Sequence, residues 1–186
     1  MIGALPACLT VGGVDYKIRS DYRVALTIFQ AYNDPDLSPV DKSLVCLQCL
    51  YEEMPHDIGA ALEQARWFLD GGNRVKLREL PVKTLDWEQD EGMLFPAVNR
   101  VAGCEVRAIR YLHWWTFLGY FSEMGECLYA QVLHIRQKRA RCKPLEKWEV
   151  DFLNTHKELI VIREKLTAEE QAELAQEEAF IDSLCG

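Results

Sequence analysis

Seven cysteines and four histidines are the residues of this chain with the most to offer chemically. Thiolates and imidazoles hold zinc, or serve as nucleophile and base, when they converge at fixed spacing. The cysteines are Cys8, Cys46, Cys49, Cys104, Cys127, Cys142 and Cys185, and only Cys46 and Cys49 have a ligand-like separation. A structural zinc site needs a second pair or histidines at comparable spacing. His56, His113, His134 and His156 lie far apart, and none forms the helical His-x-x-x-His or Glu-x-x-His pair that holds a metal. Cys46 and Cys49 also fall inside the helical pattern of Leu44, Val45, Leu47 and Leu50, which reads as a buried or half-buried thiol pair. A redox role has no strand–loop–helix context to support it.

Other catalytic signatures are equally thin. Gly12-Gly13 and Gly71-Gly72 lack the Lys-Ser/Thr or the third glycine of phosphate-binding loops, and no Gly-x-Ser-x-Gly elbow is present. Glu88, Asp90 and Glu91 cluster where a helix is expected to start, and favourable placement at its positive end accounts for them. The residues therefore predict a protein that is not an enzyme, with no cofactor and no metal.

The elements that would carry these residues are mostly helical. Residues 9–11 and 14–18 form the one good strand signal, two alternating runs around Gly12-Gly13, whose freedom at positive φ suits a two-residue turn. Ser20 is expected to cap a first helix that ends at Asn33-Asp34-Pro35. Ser38-Pro39 opens a second, running to about Glu53, and Asp57 a third, stopped by Gly71-Gly72. A fourth starts at Trp87 and contains Pro96; an aromatic helix spans 109–124; a further helix runs to about Arg141. Pro144 restarts a helix bearing Leu145, Trp148, Phe152 and Leu159, and Thr167 with Glu170 marks a capping box for an acidic last helix. The expected fold is all-α, a multi-helix array of about seven to eight helices with a short N-terminal β-hairpin. The expected division is a hairpin at 1–19, a helical subdomain at 20–72, a connection at 73–86, a second helical subdomain at 87–162 and an acidic helix at 163–186.

The aromatic stretch at 109–124 spreads Tyr111, Trp114, Trp115, Phe117, Leu118 and Phe121 over more than one stripe, which predicts burial on several sides. It is too short and polar to span a bilayer. His113 is placed on the more polar arc with Thr116, Tyr120 and Glu123, so Tyr111, His113 and Tyr120 are candidates for a contact face. Aromatics packed this closely belong by default to the core.

Charge sets further bounds. A net charge of −8 argues against nucleic acid as the main partner, since phosphate binding draws on Lys and Arg. The N-terminus lacks the cationic start and long apolar core of a secretory signal, which predicts retention in the cytoplasm with thiols reduced. Arg136, Lys138, Arg139, Arg141, Lys143 and Lys147 crowd into twelve residues, whereas 158–182 holds eight acids against two bases. One reading is two solvated faces of opposite sign. The other is that the acidic tail meets the basic segment of its own or a neighbouring subunit. Arg136, Lys138 and Arg139 join the candidates for partner contact.

Certain motifs carry a resemblance. Leu85-Asp86-Trp87-Glu88-Gln89-Asp90, Leu94-Phe95, Leu112-His113-Trp114-Trp115-Thr116-Phe117 and Val132-Leu133-His134-Ile135-Arg136-Gln137-Lys138 together resemble the bacteriophage Gp15-type family. That family is encoded beside the tape measure gene of long-tailed phages and prophages of Gram-positive bacteria. The motifs cover about residues 85–140, and 102–108 departs from the family pattern. The resemblance implies a non-enzymatic tail assembly chaperone in the bacterial host cytoplasm that binds the helical tape measure protein and is displaced as tail tube subunits polymerise. A permanent structural subunit of the neck or tail is the alternative. The implied partners are the tape measure protein and other tail assembly proteins, with self-association left open and neither nucleic acid nor membrane involved.

Overall fold

A computed structural model describes residues 3–72 and 83–185, with 177–185 described by backbone alone. Strands β1 (Cys8–Val11) and β2 (Val14–Lys17) pair antiparallel with Val11 opposite Val14. Gly12 and Gly13 close the turn at φ 58° and 84°, the double positive φ a two-residue hairpin requires. Leu9 and Val11 turn inward. An isolated hairpin is marginal in water, and this one is anchored: Arg19 N donates to Leu50 O and Glu52 N to Lys17 O.

Nine helices follow among the described residues, eight of them seven residues or longer, which agrees with the all-α reading. Helix α1 (Tyr22–Tyr32) is capped by Asp21 rather than Ser20, α2 (Pro39–Leu50) by Ser38 with proline at its first turn, and α3 (Ile58–Leu69) by Asp57. Arg19 sits over the C-terminal end of α2 and donates to the carbonyls of Gln48, Cys49 and Tyr51, where a cation is favoured. Residues 73–82, most of the expected connection, lie outside the described residues.

Helix α4 (Glu91–Ala102) starts four residues later than Trp87 and continues through Pro96. Helix α5 spans Trp114–Ser122, so the expected helix at 109–124 is corrected at its start. The reason is backbone pairing: Tyr22 N donates to Leu112 O and Trp114 N to Ser20 O, which holds the chain before Trp114 extended beside Asp21. His113 is therefore no member of a polar helical arc. It is the N-cap, its Nδ1 accepting from Trp115 N at 3.0 Å.

Helices α6 (Leu128–Ala140), α7 (Lys147–Thr155) and α8 (Lys157–Ile160) complete the body, and α9 (Ala168–Cys185) follows a short strap. The single helix expected after Pro144 is broken at His156, whose φ of −122° leaves the helical region. The main core draws on both sides of the connection, from Leu9, Ile28 and Phe68 to Phe95, Trp114 and Tyr129. Trp114 is its centre, with ring neighbours Phe29, Trp87 and Phe117 each within 5.8 Å. Tyr22 stacks on Phe117 at 4.7 Å. Both indoles of the Trp-Trp pair donate to the end of α3, Trp114 to Leu69 O and Trp115 to Phe68 O. A smaller cluster of Val132, Ile135 and Ile160 binds α6 to α8.

Candidate binding groove

Among the described residues the cysteines and histidines do not converge on one site. Cys46 is buried on α2, where burial pushes its thiol pKa up and favours the unreactive protonated form. Cys49 is half-buried three residues on. Among the described residues no three His, Cys, Asp or Glu side chains come together to hold a metal, and no helix is long and apolar enough to cross a membrane.

The buried charges instead join helices. Arg136 meets Asp90 through two hydrogen bonds of 2.6 and 2.8 Å, and its remaining donors reach the carbonyls of Ile160, Leu159 and Thr84. Asp90 also accepts from Tyr129 Oη and Asp86 N. Asp90 is thus more than a carboxylate at a helix start: it ties α4 to α6 and to the end of α8. Burial raises the Asp86 pKa, but the Lys83 ammonium and the amides of Gln89 and Glu88 outweigh it, and the net displacement is downward. Glu149, on α7, accepts from Lys138 Nζ at 2.6 and 2.8 Å, lies 2.9 Å from His134 Nε2 and accepts from Glu146 N. The Lys138 ammonium holds its carboxyl below the usual range, with the Glu146 amide and His134 in support.

Of the six residues proposed from sequence as contacts, Arg136 and His113 point inward. Arg136 is 5 % exposed and His113 also 5 %, its Nε2 lying 3.1 Å from Pro6 O. Tyr111 is exposed, with its hydroxyl 2.7 Å from Ser20 Oγ, and Tyr120 is half-buried on α5. Lys138 is committed to Glu149, and Arg139 is exposed. Among the described residues no hydrogen bond or ion pair joins Tyr111, His113 or Tyr120 to Arg136, Lys138 or Arg139. Arg136 was legible as an interior residue after all, because Tyr129, Val132 and Arg136 share the 3–4 spacing of one helical stripe.

What sequence reasoning missed is a groove of about 320 Å³ between α1 and α4. Its floor is aromatic, built from Tyr22, Trp87 and Phe95 with Leu26 beside them. Arg23 and Arg107 line it as well, each guanidinium lying over a ring, Tyr22 at 4.7 Å and Phe95 at 4.8 Å. Glu88 and Glu91, with Thr27, Gln30 and Asn33, complete the lining. The cations are locally balanced: Arg23 pairs with Asp21 and donates to Arg107 O and Ile109 O, and Arg107 binds Glu105 and approaches Glu91 at 3.7 Å. The Arg107 guanidinium holds the exposed Glu105 carboxyl down to about 2. The groove is apolar within and charged with both signs at its edge. The spacing of Tyr22, Leu26 and Phe29 on α1 signals an apolar stripe, but not that part of it would stay open.

A wider hollow of about 1040 Å³ lies between α1, α2 and α3, floored by Phe29, Tyr32 and Leu62 with Lys42, Arg66 and Glu63 at its edge.

These features define an all-α scaffold with an N-terminal hairpin, helices fastened by buried ion pairs, and an open groove with an aromatic floor. Residues 1–161 match the family model described as bacteriophage Gp15 protein, and the chain belongs to that family. It is thus a phage structural or assembly protein. No curated protein and no solved structure matches the chain.

Proposed function

We propose that this protein is a non-enzymatic phage tail assembly chaperone, which holds a helical segment of the tape measure protein in the α1–α4 groove until tail tube subunits displace it. The observation that carries this reading is the groove itself. An amphipathic helix laid in a groove places apolar side chains at i, i+3 and i+4 against an apolar floor and its polar flanks against the rim. Tyr22, Trp87 and Phe95 supply such a floor, and the mixed rim of Arg23, Arg107, Glu88 and Glu91 can meet flanks of either sign. Large rings give contact area at little entropic cost, and the net charge of −8 favours solubility while a hydrophobic client is held.

The test is co-expression with the tape measure protein of the same phage. The expected result is a rise in soluble tape measure protein and its co-purification with this chain; unchanged solubility without co-purification overturns the proposal. Mass spectrometry of purified virions adds a second criterion. A chaperone is absent from the particle, whereas stoichiometric presence would mean a permanent neck or tail subunit.

A further inference from the structure

We propose that copies of this chain associate head to tail, the acidic helix α9 of one copy lying across the basic turn between α6 and α7 of the next. The basic side of this contact is a built surface. Arg139, Arg141, Lys143 and Lys147 are all exposed, and among the described residues none of the four makes an ion pair. Their backbone is held in place: Cys142 adopts φ 51°, Cys142 N donates to Arg139 O and Lys143 N to Lys138 O. Lys138 on Glu149 fixes α6 to α7 behind the turn. Next to the cations, Trp148 is 49 % and Val150 40 % exposed on α7, so charge and apolar surface lie together.

The acidic side is a helix whose described side chains have no packed face. Residues 168–176 of α9 are exposed throughout, Leu174 among them. Glu169 and Glu173 make no ion pair among the described residues, and the sequence continues with Glu177, Glu178 and Asp182. At 18 residues α9 is about 27 Å long. A solitary helix of that length is marginal in water and gains most from a packed face.

Over residues 168–176 its own copy does not supply that face. The strap before α9 is fastened to the body, with Gln89 donating to Val161 O and accepting from Arg163 N, Lys165 paired to Glu88, and Asp36 accepting from Ala168 N. These contacts fix where α9 leaves the body, and its described residues make no ion pair with the basic turn. Two complementary surfaces, neither forming an ion pair with the other among the described residues of one copy, are satisfied by a second. In this head-to-tail arrangement the contact is heterologous and continues from copy to copy, closing a ring or extending a chain according to the rotation per step. The inference does not depend on the groove or on any client.

Sedimentation velocity of the full chain tests it. At about 0.02 M salt the expected result is concentration-dependent association, which reverts to the 21.4 kDa monomer at about 0.5 M salt, where screening reaches only a few ångströms. Lys143→Glu with Lys147→Glu, and separately Glu169→Lys with Glu173→Lys, each abolish association at low salt. Mixing the two variants restores it, because each then meets its opposite charge; thermal melts confirm that both remain folded. Carbodiimide coupling of mixed light and heavy copies joins Lys143 or Lys147 of one copy to residues 169–173 of another. A monomer at low salt, failure of the mixture to associate, or couplings confined to single copies overturns the proposal.

Discussion

Arg136 and Asp90, 46 positions apart in the chain, meet in a two-point ion pair with side chains only 3 % and 0 % exposed. The pair sits where α4, α6 and the end of α8 converge, and the two side chains together satisfy the carbonyls of Ile160, Leu159 and Thr84, the Tyr129 hydroxyl and the Asp86 amide. Removing one partner leaves a buried charge without its counterion, which costs about 3–5 kcal/mol. Arg136→Ala and Asp90→Ala are each expected to lose that much stability in urea unfolding. The double variant loses clearly less than the sum, because the second truncation removes the charge stranded by the first. Arg136→Lys does not rescue, since a point ammonium cannot serve the carboxylate fork and three carbonyls together.

A pH dependence follows from Glu149. Its carboxyl lies below the ordinary 4.5, chiefly through the Lys138 ammonium, with the Glu146 amide and His134 also facing it. The ionised form is the one the fold prefers, so its contribution is fully present above the unfolded value and fades as pH falls through the lower folded one. The melting temperature of the wild type is therefore expected to exceed that of Glu149→Gln by a constant margin at pH 6–7. The margin narrows steadily below about pH 4.5. A margin that widens on acidification contradicts the direction of the shift.

Local chemistry was readable in the sequence, and long-range pairing was not. Gly12-Gly13 specified the hairpin register, Ser38-Pro39 and Asp57 the starts of α2 and α3, and Thr167 with Glu170 the box that opens α9, where Thr167 N donates to Glu170 and Glu170 N to Thr167. Each signal acts over two to four residues. The start of α5 failed the same reading because it is decided by residues 20–22, far away in the chain, whose backbone claims 112–114 for a strand-like pairing. The charge run from Arg136 to Lys147 misled in a related way. It mixes one interior guanidinium, one lysine bound to a buried carboxylate and four exposed cations, and only the apolar stripe it shares with Tyr129 and Val132 separates the first from the others. The groove was least legible, since an aromatic stripe reads as core whether or not a neighbour covers it.

Gly72 carries a constraint of two kinds. Its φ is +83°, and a Cβ there would lie 2.8 Å from the Trp115 ring, whose indole is held by Phe68 O. Gly72→Ala is expected to cost about 1–3 kcal/mol, combining left-handed strain with displacement of that ring. The near-ultraviolet circular dichroism of the tryptophans should change with it. Gly12→Asn is the control: φ is +58° with no atom within 4 Å of the added Cβ. Asparagine tolerates that region, so this variant should stay close to the wild type.

The groove makes the functional reading sensitive to one exposed position. Thr27 lies on its rim, exposed on α1, with its hydroxyl donating to Arg23 O within the same helix. Thr27→Arg extends a long side chain over the aromatic floor toward Glu88 and Glu91 without removing any core contact. Surface changes of this kind usually shift stability by no more than about 0.5 kcal/mol, so the melting curve is expected to hold. Blocking a site that buries apolar anchors costs about 2 kcal/mol or more of binding, a loss of roughly thirtyfold in affinity. Recovery of the tape measure protein in the soluble co-expressed complex should fall accordingly, while the salt-dependent association of copies through α9 is unchanged. If Thr27→Arg leaves capture intact, the client is held elsewhere on the body.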